Sequence, residues 1–318
     1  MTTTIETVKA PRYSVCEWST PHNDVWQDIE QAARTGAVGL GLAEQKLPKG
    51  QDDRVREAMA EHGLRATGCV PAPHTLSWTF FFPDGERDPA KILTGLQESI
   101  KRLAEFDPVC ILIAPSGSSP VVGPEEMAHI RHALQVLDQT AGELGQRIAI
   151  ELITPWDEEN GRRSTNRSDT PELLSLPGMV GFIDELGLSN SGVLWDLWHS
   201  WNEPDLHESL RMYVDRLEGV VHVNDVTPDE HGFSDRSLPG QGRGVLPDAI
   251  ATLLEAGYDG FWELEVFSDD GTMVTELPNS LWKLPHEQFL RMGKAAFDEA
   301  YAAALKIVES HQHGNQPE

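Results

Sequence analysis

Eight short runs of β-branched, aromatic and other apolar residues recur along the chain, separated by longer stretches with the period of an amphipathic helix. The runs are RYSVCEW (12–18), AVGLGLA (37–43), LRATGCV (64–70), VCILIA (109–114), RIAIELI (147–153), GVLWDLW (192–198), GVVHVND (219–225) and GFWELEVF (260–267). Several intervening stretches carry Pro near the start and Gly just past the end, as at Gly36, Gly63, Gly145, Gly187 and Gly257, which is how helices are commonly punctuated. A strand followed by a helix, repeated eight times, predicts an α/β protein with a (β/α)8 TIM barrel. A doubly wound open sheet is the structural alternative.

No Pro-, Ser- or Gly-rich linker divides the 318 residues, so one TIM-barrel domain over 1–318 is expected. Long irregular segments follow the third, fifth and seventh runs, at 71–88, 154–169 and 227–244, and a helical extension follows from about Pro285. In a barrel, all three segments open on the C-terminal face, where active sites are built.

Acidic side chains outnumber basic ones by 51 to 25, a formal charge of -26. Repulsion from phosphate backbones and anionic bilayers argues against nucleic acid or membrane partners. The cysteines Cys16, Cys69 and Cys110 are odd in number and lie in strand-like runs, which suits a reducing compartment better than a disulfide framework. With no signal-like N-terminus and no stretch of eighteen apolar residues, a cytoplasmic protein is expected.

The run VLWDLWHSW (193–201) sets an acid, Asp196, and an imidazole, His199, inside apolar sequence. An unpaired buried carboxylate costs several kcal/mol, so Asp196 calls for a partner, often a cation. Comparable donors close the neighbouring runs: Glu151 in the fifth, His222 in the seventh, Glu265 in the eighth. Singly, each reads as a strand-end charge that pairs with Arg or caps a helix. Strand alternation, however, puts Glu151 on the face of Ala149, Asp196 on that of Leu194, His222 on that of Val220 and Glu265 on that of Glu263. Around one rim, three carboxylates and an imidazole would converge, repelling one another and taking up protons unless a divalent ion pairs them. Such a donor set suits one divalent ion, whether manganese, magnesium, cobalt or zinc, and does not rank them; manganese is the expected ion. Glu263 lies deeper and reads as a hydrogen-bond partner of a ligand rather than a ligand.

The order Glu151, Asp196-x-x-His199, His222 with Asn224-Asp225, Pro239-Gly240-Gln241-Gly242, and Gly257-Tyr258-Asp259-Gly260 leading to Glu265 resembles the xylose-isomerase-like sugar isomerase and epimerase superfamily. Element order matches along the whole chain and specific motifs only between Glu151 and Glu265. The resemblance implies a metal held by Glu151, Asp196, His222 and Glu265, with Glu151 and Glu265 as the catalytic proton-moving pair. It further implies substrate contacts from His199 and Arg236. Read without it, His199 caps a turn and Arg236 is a solvated loop charge. His74 and Trp156, on the loops after the third and fifth strands, are further candidate substrate contacts; for His74 a local hydrogen bond is the simpler reading.

An ion bridging a carbonyl and its neighbouring hydroxyl acidifies the intervening C–H, which a carboxylate then removes through an enediolate. Return of the proton on the other face is epimerisation, return at the next carbon is isomerisation, and loss of a β-substituent is elimination. The expected function is therefore a divalent-metal-dependent ketose or keto-sugar isomerase or epimerase. A lyase with the same site, either the large subunit of a C-glycoside deglycosylase acting on 3-oxo-glycosides or an inosose-type dehydratase, is the first alternative. An apurinic-endonuclease-like hydrolase and a non-catalytic, metal-braced barrel are alternatives of other classes; the first lacks an acid-and-His series in the first four strands and has the wrong charge.

Trp78, Phe80, Phe81, Phe82, Trp156, Trp198, Trp201 and Trp282 could wall a sugar or aglycone pocket, although loop aromatics more often pack a lid. The expected partner is a small sugar or sugar conjugate, with a homo-oligomer or a small partner subunit possible. GQGRG at 240–244 matches neither phosphate-binding glycine template and reads as a turn before the seventh helix.

Overall fold

The computed structural model describes residues 10–73, 75–77, 84–115, 123–154, 156–157, 162–163, 173, 175–228, 232, 234–273 and 276–314. Its main sheet is entirely parallel and runs Arg65–Ala66, Gly39–Gly41, Arg12–Cys16, Phe261–Leu264, Leu217–Val223, Ser191–Asp196, Ile148–Glu151, Cys110–Ile113, Gly68–Cys69. The first and last members of that order are two halves of one extended segment, divided at Thr67. Thr67 N donates to Leu40 O at 3.0 Å, and Cys110 N donates to Thr67 O at 3.3 Å. One residue thus bonds to strands on both sides and closes the sheet into a TIM barrel, as the eight-run cadence predicts.

Helices cover the outside. Val25–Arg34 shows why the chain turns helical there: Asp24 accepts from Gln27 N at 2.9 Å while Gln27 Oε1 accepts from Asp24 N at 3.0 Å, a reciprocal cap on two otherwise orphaned donors. Val25, Ile29 and Ala32 then fall on one buried face. The helix Leu176–Leu186 is started by Ser175, whose Oγ accepts from Gly178 N at 3.2 Å, and Pro177 fits its first turn. His286–Gly314 forms the C-terminal helix, and none of the described helices is long and apolar enough to cross a membrane.

Two apolar layers result. A large core lies between strands and helices, including Trp195, Phe182, Phe289 and Phe297, each contributing about 1.5–3 kcal/mol through burial. Inside the barrel, Val70, Cys110, Leu112, Ala149, Leu194, Val220 and Phe261 form a second, smaller cluster. Ala149, Leu194 and Val220 are the residues two positions before Glu151, Asp196 and His222. Alternation therefore carries the three polar side chains onto the same interior face, one layer nearer the C-terminal rim.

The sixth barrel strand, Ser191–Asp196, is anchored at its start by Asp138 of the helix Pro124–Glu143. Its carboxylate accepts from Asn190 N at 2.8 Å, Ser189 N at 3.2 Å and Ser191 Oγ at 2.6 Å.

Candidate metal centre

Glu151 and Asp196 are the last residues of their strands, His222 is the penultimate residue of its strand, and Glu265 directly follows Leu264. Parallel pairing puts His222 in register with Asp196 on one side and Glu263 on the other. Glu265 stays extended, its N–H donating to Val223 O at 3.3 Å. One donor atom from each of Glu151, Asp196, His222 and Glu265 lies within 4.8 Å of all the others, and all four residues are buried. His222 Nδ1 stands 3.1 Å from Glu265 Oε2, 3.3 Å from Glu151 Oε1 and 3.7 Å from Asp196 Oδ2.

The donor set fits a divalent ion. Neither His222 nitrogen and neither Glu151 Oε1 nor Glu263 Oε1 has a hydrogen-bond partner among the described residues, though all are buried. Orphaned buried donors and acceptors that converge on one point are what a cation would satisfy. Glu151, Asp196 and Glu265 supply hard oxygens and His222 a borderline nitrogen, a mixture suited to manganese, magnesium, cobalt or zinc.

In the protein alone the charges settle otherwise. Burial and the charge of Glu265 push the Glu151 carboxyl up to about 7. Burial works against the charged form of His222, yet Glu265, Asp196 and Glu151 together raise its affinity for a proton well above the ordinary imidazole range. Asp196 is also penalised by burial, but Arg236 and His222 hold it well below the usual carboxylate range.

Arg236 is not a solvated loop charge. It begins the short strand Arg236–Ser237 and is 3 % exposed, with Nη1 2.8 Å from Asp196 Oδ2 and 2.7 Å from Glu265 Oε2. Its guanidinium lies 4.3 Å from the Phe267 ring centroid and 5.1 Å from that of Trp198. Planar aromatic faces suit a delocalised cation, and here they fix its orientation.

His199 lies in the single helical turn Leu197–Ser200, which Asp196 caps by accepting from Trp198 N at 2.7 Å. That turn swings His199 back over the barrel despite its odd position relative to Asp196. Thr154 N donates to His199 Nδ1 at 2.9 Å, which puts the proton of the neutral ring on Nε2; Arg236 Nη2 lies 3.5 Å from that nitrogen and, being a donor itself, does not bond to it in this tautomer.

Trp198 and Trp282 are buried in a cluster with Val226 and Phe267, and Trp201 packs against it partly buried. Trp198 and Phe267 of this cluster flank Arg236, and Trp282 packs on Phe267 with ring centroids 6.2 Å apart. His74, Trp78, Phe80, Phe81 and Phe82 lie outside the described residues; for Trp156 the backbone strand Trp156–Asp157, paired with Arg162–Arg163, is described.

Three partners escaped the sequence reading. Asn224 Nδ2 donates to Asp196 Oδ1 at 2.8 Å and to Glu265 O at 3.1 Å, tying two ligands together. Its signal was the Asn224-Asp225 pair after His222, which the resemblance includes without assigning it a role. Cys16 Sγ, 3.6 Å from Glu265 Oε1, donates to a candidate ligand. Asp225 accepts from Arg243 N at 3.1 Å and Gly244 N at 3.3 Å, so the GQGRG segment is a turn held against the site. A Cβ on Gly242 would come 2.3 Å from Val226 O, which is why that turn needs glycine.

The sequence matches the family described as xylose isomerase-like TIM barrel over residues 29–291. The chain belongs to that family. Among relatives of the xylose isomerase-like barrel, a Streptomyces coelicolor protein named "Putative hydroxypyruvate isomerase" is 25% identical over 258 residues, 74% of this chain and 84% of its own. A solved L-ribulose 3-epimerase superposes with TM-score 0.72 at 16% identity, covering 97% of this chain and 100% of the epimerase. The crystal structure of the IolI protein with a binding zinc atom superposes with TM-score 0.69 at 18% identity, covering 91% and 97%. At these identities the superpositions establish a shared xylose isomerase-like barrel.

Proposed function

We propose that this chain is a sugar isomerase or epimerase that moves a proton at the carbon beside a substrate carbonyl, using a divalent ion held by Glu151, Asp196, His222 and Glu265. The observation that carries this reading is the pair of buried carboxylates Glu151 and Glu265, 3.3 and 3.1 Å from His222 Nδ1 and standing on strands that are not neighbours. When bound, the ion supplies positive charge that stabilises the oxyanion developing as the C–H bond breaks. Manganese is the expected ion, with magnesium, cobalt and zinc as alternatives.

Glu151 and Glu265 each offer a carboxylate oxygen to the reacting carbon from a different strand. One takes the proton and the other returns one. Delivery to the opposite face gives the epimer, and delivery to the adjacent carbon gives the isomer. Arg236, held between Phe267 and Trp198, orients Glu265 and Asp196 and presents its remaining N–H groups to substrate oxygens. His199 offers its Nε2 proton to a substrate hydroxyl from the same side, and burial of the whole cluster excludes water from the transferring proton.

A relative named for isomerisation and a structural neighbour named for epimerisation support this reading over hydrolysis, and a zinc-containing neighbour supports the ion. The substrate is a small sugar or sugar conjugate. Elimination from a keto-sugar bearing an apolar substituent is the second reading, favoured by the aromatic wall of Trp198, Phe267 and Trp282.

Proton exchange in heavy water tests the proposal. Chelator-treated protein, with and without manganese or magnesium, is incubated with ketoses, 3-oxo-glucose derivatives and inososes while NMR follows each C–H beside the carbonyl. Exchange that requires the metal and vanishes in Glu265→Gln is expected. Metal binding without exchange of any candidate would contradict proton transfer.

A further inference from the structure

We infer that Glu263 is a positioning residue: its carboxylate receives the Nε2 proton of His222 from the barrel interior and so turns Nδ1 toward the three ligand carboxylates. The inference rests on the metal-centre reading and adds a residue that the ligand set itself does not require.

Ser14, Glu263, His222 and Asp196 form one register row across four adjacent strands. In-register residues of a parallel sheet point to the same face, so all four enter the barrel together. All are fully buried. Glu263 Oε2 accepts from Ser14 Oγ at 3.0 Å and from Thr67 Oγ1. Both hydroxyls are thereby committed to one oxygen. Glu263 Oε1 is left facing His222 Nε2 at 3.4 Å, and neither atom has a hydrogen-bond partner among the described residues.

The barrel makes room for this carboxylate at some cost in side-chain packing. A Cβ built on Gly41 would lie 2.5 Å from Glu263 Oε1, and one on Gly68 would lie 2.9 Å from the same atom. Two strands therefore carry glycine where Oε1 sits. A side chain present only to fill the barrel would be apolar and would need neither glycine nor paired hydroxyls, since a buried carboxylate is costly without donors.

The chemistry follows from the two nitrogens of imidazole. A neutral ring has one N–H and one lone pair, and the partner of the first decides where the second points. With Nε2–H directed at Glu263, the lone pair of Nδ1 faces Glu151, Asp196 and Glu265. An outer carboxylate of this kind also raises the donor strength of the ring, and its removal commonly weakens metal binding by roughly 10- to 100-fold.

The test uses zinc, which is silent in NMR, on the full chain. Zinc affinity is measured by competition with a chromogenic chelator, and the His222 tautomer is read from long-range proton–nitrogen correlations of 15N-histidine-labelled, zinc-loaded protein, assigned by their loss in His222→Gln. The parent is expected to show His222 protonated on Nε2. Glu263→Leu is expected to bind zinc roughly 10- to 100-fold more weakly and to lose that single tautomer. Glu263→Gln, whose amide oxygen can still accept from Nε2, restores both. Gly68→Ala displaces Oε1 while leaving every ligand in place, so it weakens zinc binding in the same direction and carries the test if Glu263→Leu does not fold. Parental zinc affinity and an unchanged tautomer in Glu263→Leu or Gly68→Ala would overturn the positioning role and leave the metal centre standing. A parent that binds no zinc would instead remove the metal centre, and this inference with it.

Discussion

Arg236 Nη1 sits 2.8 Å from Asp196 Oδ2, and both side chains are almost completely withdrawn from solvent. The pair compensates a carboxylate that burial alone would neutralise, and Arg236 reaches Glu265 with the same nitrogen. Breaking a buried ion pair by removing one partner typically costs about 3–5 kcal/mol. Arg236→Leu is therefore expected to destabilise the metal-free protein by about that amount in urea unfolding. Added manganese restores part of the loss, because the cation replaces the charge that Asp196 and Glu265 have lost. Equal destabilisation with and without metal would show that Arg236 serves packing alone.

The proton-moving pair should be separable from the metal-holding role. Glu151→Gln and Glu265→Gln each keep an oxygen donor but lose a basic site, so exchange should fall by roughly 100-fold or more. Binding of manganese, measured by calorimetry, should weaken far less than in His222→Ala or Asp196→Ala. Comparable loss of both properties in all four variants would deny Glu151 and Glu265 a role in proton transfer.

The pH response follows from Glu151 and His222, both of which bind protons more tightly in the folded, metal-free protein than in the unfolded chain. A raised Glu151 stabilises the fold fully below its ordinary carboxylate value, near 4, and that stabilisation is lost as pH rises through about 7. His222 acts in the same direction at higher pH. The unfolding free energy of chelator-treated protein should accordingly fall between about pH 5 and pH 8, by an amount on the order of 3 kcal/mol for Glu151, and the melting temperature should fall with it. Metal binding in that interval should release protons, and saturating metal should flatten the slope. A metal-free protein that grows more stable over this range would refute the assigned electrostatics.

Asp138 offers a control far from the chemistry. Its carboxylate gathers Asn190 N, Ser189 N and Ser191 Oγ at the start of the strand that ends in Asp196. Asp138→Ala leaves the buried Ser191 hydroxyl and two half-buried backbone donors without this partner and is expected to cost about 1–3 kcal/mol of stability in denaturant unfolding. Zinc affinity at low temperature should stay within about 3-fold of the parent, because the register of the strand is held by its neighbours. A larger loss would mean that the clamp sets the ligand geometry as well as the fold.

The four donors were legible because each lies near the end of a recognisable β run, and three sit two positions after an interior apolar residue: Ala149 before Glu151, Leu194 before Asp196, Val220 before His222. Local alternation was enough to put them on one face. Ser14, Thr67, Gly41 and Gly68 were not legible as parts of the site. They belong to the first three strands, which meet Glu263 only after the barrel closes, and no local pattern encodes which distant strand a residue will face. Arg236 was found by likeness to relatives, but its burial between Trp198 and Phe267 depends on a loop folding back on the rim.

The most direct test of the central claim, that Glu151, Asp196, His222 and Glu265 form one divalent metal centre, is the stoichiometry of manganese bound to chelator-treated protein by titration calorimetry. One ion per chain in the parent, with binding abolished in His222→Ala and in Asp196→Ala variants that retain the parent's circular dichroism, is the predicted result. A folded parent that binds no divalent ion, or folded variants that bind it as tightly as the parent, would contradict the account.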